Sequence, residues 1–249
     1  MQYGICNLSI VPLRLETTDT SEMVSQVLYG DVFKVLEQRK SWSKIRLAFD
    51  KYEGWIDNKQ YIELSLDEYK ILEGEQPKLS TDLIEFVQDK NQQLYSIPLG
   101  ASLNGLSLLE HHFDGGFSNK KKAKNEIIET AFNYLNAPYL WGGKTPFGID
   151  CSGFTQMVYK LNGYNLLRDA SQQATQGDAL SFIEESEPGD LAFFDNSEGQ
   201  IVHVGIIMKD NYIIHAHGKV RIDRLDHSGI YNVDKRIHTH KLRVIKKII

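Results

Sequence analysis

Cysteine is scarce in this chain: Cys6 and Cys151 are the only two among 249 residues. Two cysteines are too few for a disulfide framework and are typical of a protein from a reducing compartment. No apolar run approaches the roughly 18 residues that a membrane span needs. The N-terminal apolar residues follow no lysine or arginine and are interrupted by Asn7 and Ser9, unlike a signal peptide. We therefore expect a cytoplasmic protein with no membrane partner.

The chain also has no excess of positive charge, since its formal net charge is −5. This balance gives no general attraction to nucleic acid, so we predict no nucleic-acid partner. The charge is uneven, with −7 on residues 1–117 and +2 on the rest. The change coincides with a glycine-containing loop and the basic run Lys120–Lys124, which predicts a domain boundary. We predict a domain over 1–64, a linker or shortened second domain over 65–117, and a third over 118–249.

Short strands dominate the first half of the chain. The segments Asp31–Gln38, Trp42–Phe49 and Tyr52–Ile56 are rich in β-branched and aromatic residues or alternate apolar with polar ones. Turn residues separate them about every ten positions, which is typical of a small all-β barrel or sandwich. Residues 80–105 repeat the pattern more weakly.

The second half contains a helix that begins at a cysteine. Apolar residues from 151 to 162 recur at helical spacing, with Asp150 at the N-cap and Gly163 at the C-cap position. Cys151 therefore lies in the first turn. The N–H groups and dipole of a helix start stabilise a thiolate, which is the better nucleophile. The pattern predicts a nucleophilic thiol rather than a merely structural one.

Two strand-like segments, 201–208 and 212–217, carry histidines that are candidates for the base. A two-residue loop between the segments would place His203 and His215 on opposite faces of the hairpin. A three-residue loop would set His203 opposite His217 and bring His215 to the same face. A shared active-site face therefore requires an odd loop or a bulge.

Five motifs of the second half resemble those of the NlpC/P60 cysteine peptidases over about residues 124–249. They are Pro138–Gly143, Gly148–Phe154, Arg168–Gln173, Pro188–Phe194 and His203–Ile206. Segments of the first half, Val11–Arg14, Ser21–Asp31 and Tyr52–Ile56, resemble a bacterial SH3-like domain. The resemblance implies an α+β protein, with an N-terminal all-β SH3-like barrel followed by a papain-like domain of helices packed on an antiparallel sheet.

The resemblance also implies roles for four side chains. Cys151 matches the nucleophile, His203 the general base and His215 the orienting polar residue. The hydroxyl of Tyr139 would join the backbone N–H of Cys151 in an oxyanion hole. This chemistry needs no metal and no cofactor.

The coupling to an SH3-like domain resembles the subgroup that cleaves γ-D-glutamyl-L-diamino acid bonds of murein tri- or tetrapeptides during recycling. In such relatives, an acidic residue and a tyrosine of the SH3-like domain, with an aspartate of the catalytic domain, bind the free ammonium of L-alanine. Glu22, Tyr52 and Asp169 match these residues. Six positions are thereby expected to bind substrate: Glu22, Tyr52, Asp150, Ser152, Asp169 and Ser171. Arg168 is expected either to add charge at the D-glutamate carboxylate or to pair with a protein carboxylate.

Two other functions stay open at this point. One is a related amidase or acyltransferase, which would not need a free substrate amine. The other is a non-catalytic wall-binding protein, against which the intact Cys151, His203 and His215 argue. The diamino acid is either L-lysine or meso-diaminopimelate, and we expect a monomer. The histidines at 217, 227, 238 and 240 match no family position, and their spacing fits no compact metal site.

Overall fold

A computed structural model describes residues 2–249. The chain divides into two compact units, Met1–Lys120 and Lys121–Ile249. None of the helices within the described residues is long and apolar enough to cross a membrane.

The first unit is built on a seven-stranded antiparallel sheet. Its strands are β1 (Gln2–Ile5), β2 (Ile10–Arg14), β3 (Met23–Leu28), β4 (Val32–Gln38), β5 (Trp42–Leu47), β6 (Glu53–Asp57) and β7 (Ile62–Leu64), in the order β3-β2-β6-β5-β4-β1-β7. Buried and exposed side chains alternate along these strands: in β5, Ile45 and Leu47 are buried while Arg46 between them is exposed. The strands predicted over residues 31–56 are confirmed.

A helix that the sequence analysis did not predict follows this sheet. The helix α1 (Leu66–Gly74) begins at Ser65, whose hydroxyl accepts from the Glu68 N–H while the Glu68 carboxylate accepts from the Ser65 N–H. This reciprocal cap is readable in the sequence as Ser-x-x-Glu. Two small ladders complete the unit. They consist of β8 (Leu79–Ser80) with β11 (Phe117–Ser118), and β9 (Ile84–Gln88) with β10 (Leu94–Pro98). A second SH3-like copy over 65–117 stays a prediction.

The second unit centres on a closed antiparallel barrel. Its longer strands are β14 (Asp178–Leu180), β15 (Leu191–Asp195), β16 (Ile201–Ile207), β17 (Tyr212–His217), β18 (Lys219–Asp226), β19 (Gly229–Asn232) and β20 (Ile237–Lys247). They are ordered β14-β20-β15-β16-β17-β18-β19, and β19 also pairs with β20. Six strands therefore close into a ring, with β14 added beside β20. The short ladder β12 (Lys144–Thr145) with β13 (Gly148–Ile149) precedes them.

Three helices cover the barrel, and the central one is buried on every side. They are α2 (Glu126–Phe132), α3 (Cys151–Leu161) and α4 (Ala170–Gln173). The sequence pattern predicts one buried face for α3, but all its eleven residues are buried. The reason is that α3 lies between the strands β16 and β17 and the other two helices. The predicted α+β class is confirmed: the chain begins with an all-β region, and the second unit packs helices on an antiparallel sheet.

Candidate active site

The start of α3 is held by a buried ion pair. As predicted, Asp150 is the N-cap: its Oδ1 accepts from the Gly153 N–H at 2.6 Å, and its Oδ2 from the Gly142 N–H at 2.9 Å. Arg168 donates to both Asp150 oxygens, at 3.0 and 2.7 Å, and to the Ser152 hydroxyl at 3.0 Å. Arg168 therefore pairs with a protein carboxylate. This fixes the turn from which Cys151 projects.

Cys151 is buried, with 6% of its surface exposed. Burial raises the pKa of its thiol to about 12, and the nearby Asp150 carboxylate also raises it. The backbone N–H of Val204, the charge of Arg168 and the N–H of Ser152 lower it. Burial outweighs the helix-start contribution that the sequence favoured. The resting thiol is therefore neutral, so it would need a base before it could act as a nucleophile.

A three-residue turn sets the histidines on one face. Strands β16 and β17 pair with Gly205 opposite His215, and Lys209–Asn211 form the turn. This is the odd loop that a shared face requires, and it allows the Nε2 of His203 to lie 2.8 Å from the Nδ1 of His215. Burial, followed by neighbouring histidines, holds the pKa of His203 well below 6.5. The imidazole is consequently a neutral base at pH 7.

Asp223 extends this chain of hydrogen bonds, and the sequence analysis missed it. Its Oδ2 lies 3.0 Å from the His215 Nε2, and Arg221 donates to both carboxylate oxygens at 2.7 and 2.9 Å. Burial raises the pKa of Asp223, but hydrogen bonds from His215, Arg221 and the Val233 N–H bring it down to about 2. Strand parity was the available signal, because β18 pairs His215 with Arg221 and thus puts Asp223 on that face.

Two further histidines join the cluster, although the sequence assigns them no role. The His240 ring stacks on the His203 ring at 4.2 Å between centroids, and the His217 ring meets His240 edge-on at 4.8 Å. Burial and the nearby His215 and His217 lower the pKa of His240 to about 4. Within residues 2–249, no group of three or more histidine, cysteine or acidic side chains is arranged to hold a metal ion.

Of the other predicted site residues, Tyr139 is 36% exposed and lies close enough to Cys151 for the two groups to interact electrostatically. Burial raises its pKa, and the proximity of Cys151 and Asp150 adds to the shift. Asp169 is partly exposed at the N-cap of α4, where its N–H donates to the Gln172 side chain at 3.1 Å. Ser171, the second residue of that helix, is exposed.

The two predicted site residues of the first unit flank its strands. Glu22 is exposed immediately before β3. Tyr52 precedes β6 and packs its half-buried ring against the core of that unit. Their roles toward substrate stay predictions.

Family models match both units of the chain. Residues 136–239 match the model of the NlpC/P60 family. The second unit is an NlpC/P60 domain. Residues 13–60 match the model of the bacterial dipeptidyl-peptidase SH3 domain. The resemblance that the sequence motifs carry is confirmed. The matched residues 136–239 include Cys151, His203 and His215 and end one position before His240.

Named relatives match this chain over most of its length. The chain is 28% identical over 228 residues to the γ-D-glutamyl-L-lysine dipeptidyl-peptidase of Bacillus subtilis, covering 82% of this chain and 75% of the relative. It is 27% identical over 250 residues to dipeptidyl-peptidase 6 of Lysinibacillus sphaericus, covering 83% and 85%. A crystal structure of an NlpC/P60 family protein from Bacillus cereus shares the fold, with a TM-score of 0.80, 20% identity and 99% of each chain covered. The NlpC/P60 match over 136–239 and these relatives together support a peptidase hydrolase.

Proposed function

We propose that this chain is a cysteine peptidase that hydrolyses the γ-D-glutamyl-L-diamino acid bond of cell-wall peptides with a free N-terminal L-alanine. The observation that carries the cysteine chemistry is the placement of Cys151. Its sulfur accepts from the N–H groups of Ser152 and Val204. The residue that precedes Val204 on β16 is His203, the first member of a buried hydrogen-bonded chain. The name of the Bacillus subtilis relative supports the γ-D-glutamyl specificity.

The reaction starts from a neutral thiol and a neutral imidazole. As the Cys151 sulfur attacks the γ-carbonyl carbon of D-glutamate, His203 accepts the thiol proton. The N–H of Cys151, which in a first helical turn has no intrahelical acceptor, and the Tyr139 hydroxyl stabilise the oxyanion. Protonated His203 then gives its proton to the departing amine. Neutral His203 next activates the water that hydrolyses the thioester.

Substrate length would be controlled through the charge of the alanyl ammonium. Asp169, Glu22 and Tyr52 are its proposed ligands, while Ser152 and Ser171 would bind the D-glutamate carboxylate. Asp150 and Ser152 are already held by Arg168, so they would act from fixed positions. An ammonium desolvated beside carboxylates gains charge-assisted hydrogen bonds, and acetylation removes them and adds bulk.

The decisive experiment compares L-Ala-γ-D-Glu-L-Lys with its N-acetyl form by mass spectrometry of the products. We expect kcat/KM for the acetylated peptide to be lower by about 10³-fold or more. Asp169→Asn and Glu22→Gln should narrow that difference by weakening cleavage of the free peptide. Equal cleavage of both peptides by the unmodified enzyme would instead indicate a general wall hydrolase.

Two cysteine variants test the nucleophile. Cys151→Ala should abolish hydrolysis and keep the fold, which circular dichroism checks. Cys6→Ala is the matched control, because Cys6 lies in the core of the first unit and should be dispensable for cleavage. Full activity in a folded Cys151→Ala protein would rule out the assignment.

We further propose that the enzyme acts in the cytoplasm on recycled murein peptides. Both cysteines are free thiols, which fits a reducing compartment. Cell fractionation tests this location, and detection in the medium or periplasm would contradict it. Parallel assays with L-lysine and meso-diaminopimelate peptides test the diamino acid, and the name of the Bacillus subtilis relative favours L-lysine.

A further inference from the structure

A continuous line of hydrogen bonds runs from the base to a buried carboxylate. The Nε2 of His203 lies 2.8 Å from the Nδ1 of His215, whose Nε2 lies 3.0 Å from the Oδ2 of Asp223. His215 and Asp223 are fully buried, and His203 is 6% exposed. Ring nitrogens in such a line must alternate as donor and acceptor.

The carboxylate decides which nitrogen carries each proton. Asp223 has a pKa of about 2 and is ionised, so it only accepts hydrogen bonds. The Nε2 of His215 must then donate. Burial lowers the pKa of His215, so the ring is neutral at pH 7 and its Nδ1 accepts. The Nε2 of His203 must in turn donate, which leaves the Nδ1 of that neutral ring as an acceptor.

We propose that Asp223 is a positioning residue: it sets the tautomers of His215 and His203 and thereby keeps the Nδ1 of His203 able to take the thiol proton. The inference rests on the proposed peptidase chemistry and deepens it. Without this anchor, the two rings can exchange donor and acceptor roles along the same line. The exchanged form carries a proton on the His203 Nδ1 and cannot act as the base.

The surroundings of Asp223 hold it in this role. Arg221 donates to both of its oxygens and also contacts Asp234 at 2.7 Å, and the Val233 N–H donates to its Oδ1 at 3.1 Å. These donors, together with His215, compensate the buried charge and fix the plane of the carboxylate. When His203 becomes protonated, the negative charge of Asp223 stabilises the imidazolium through His215.

Asp223→Asn removes the charge with little change in shape. An amide nitrogen placed at either oxygen position of Asp223 would face a donor: His215 and Arg221 at one, Arg221 and Val233 at the other. A rotated amide that donates to the His215 Nε2 enforces the exchanged tautomers. We expect kcat to fall by about 10²–10⁴-fold with KM little changed.

A pH profile separates positioning from simple support of the fold. Asp223 raises the pKa of His215, so its removal should move the acidic limb of kcat/KM to lower pH. The other titratable or charged groups that act on the histidine pair stay in place. They are His217 on β17, His240 on β20 and Arg221 on β18.

The same strand supplies a matched control. Asp226 lies three residues beyond Asp223 on β18 and contacts the His238 Nε2 at 2.8 Å, but both side chains are about half exposed. Asp226→Asn removes the charge from an aspartate–histidine pair outside the site. We expect it to leave kcat, KM and the pH profile unchanged.

The test begins with the unmodified protein, labelled with ¹⁵N in its histidines. Long-range ¹H–¹⁵N spectra should show His215 and His203 both protonated at Nε2, and Asp223→Asn should shift this pattern. The rate of Cys151 alkylation by iodoacetamide provides a readout without peptide, with Cys151→Ala as the background. An Nδ1 proton on either ring of the unmodified protein overturns the proposal, whether or not the variant folds.

Kinetic measurements on the Asp223→Asn variant and on the unmodified enzyme provide two further tests. A folded Asp223→Asn enzyme that keeps its kcat and acidic limb also overturns the proposal, whereas loss of kcat with a shifted limb supports it. Failure of the unmodified enzyme to cleave γ-D-glutamyl peptides would refute the proposed function instead. The spectra and alkylation rates would still decide the role of Asp223.

Discussion

Replacement of Arg168 should destabilise the second unit more than any surface change. Its side chain is 1% exposed and forms a two-fold contact with the Asp150 carboxylate, which is itself buried. Arg168→Met fills a similar volume but leaves a buried carboxylate without its cation. Breaking one side of a buried ion pair costs about 3–5 kcal/mol. For a unit of this size we expect the Tm to fall by about 10–20 °C.

A double variant separates the cost of leaving the Asp150 carboxylate unpaired from the cost of losing the packing of the Arg168 side chain. Asp150→Asn removes the charge but keeps an oxygen that caps the Gly153 N–H. Arg168→Met combined with Asp150→Asn should therefore cost less than the sum of the single changes, with a coupling energy of about 1–3 kcal/mol.

Urea unfolding followed by circular dichroism measures these free energies. Arg224→Met is the control, because Arg224 is exposed and lies 5.0 Å from the Tyr212 ring, a contact worth about 0.5–1 kcal/mol. A cost below about 1 kcal/mol for Arg168→Met would refute the reasoning, since that is the size of a surface ion pair. Strict additivity in the double variant would also refute it.

Three other outcomes follow from the site. Tyr139→Phe should lower kcat by about 10²–10³-fold with little change in KM, and steady-state kinetics showing an unchanged kcat would exclude the hydroxyl from the oxyanion hole. Gly153→Ala would put a Cβ 2.3 Å from the Gly143 carbonyl oxygen, so thermal unfolding should show a loss of about 1–3 kcal/mol; an unaltered Tm would argue against this crowding. The pKa of His240 is lowered to about 4, so between about pH 6.5 and 4 the unfolded chain binds a proton that the folded chain does not. The free energy of unfolding, measured by urea titration, should therefore decrease as the pH is lowered over that range. His240→Gln should make this decrease smaller. The same pH dependence in the variant and the unmodified protein would contradict the role of His240.

Local features of the site were predictable because neighbours in sequence decide them. The cap at Asp150, the start of α3 at Cys151 and the strands carrying His203 and His215 all follow from patterns a few residues long. The hairpin argument reduced the register to two choices, and the three-residue turn selects between them. The helix α1 was equally local, and its Ser-x-x-Glu cap was overlooked because the segment was interpreted as a linker.

Sequence by itself determined the helix that begins at Cys151, the strands that carry His203 and His215, and the two-part architecture, because short motifs carry them. The tertiary structure decided which side chains surround these residues. Closure of the barrel stacks the His240 ring on the His203 ring, although the two residues are 37 positions apart in the sequence. The strand β18 places the Asp223 carboxylate within hydrogen-bond distance of His215. Burial then raises the pKa of the Cys151 thiol and lowers the pKa of the His203 imidazole, so both groups are neutral. In an exposed helix start or strand, these pKa values would stay closer to their ordinary values. Both effects depend on which segments exclude water from the site, and only the assembled fold determines that.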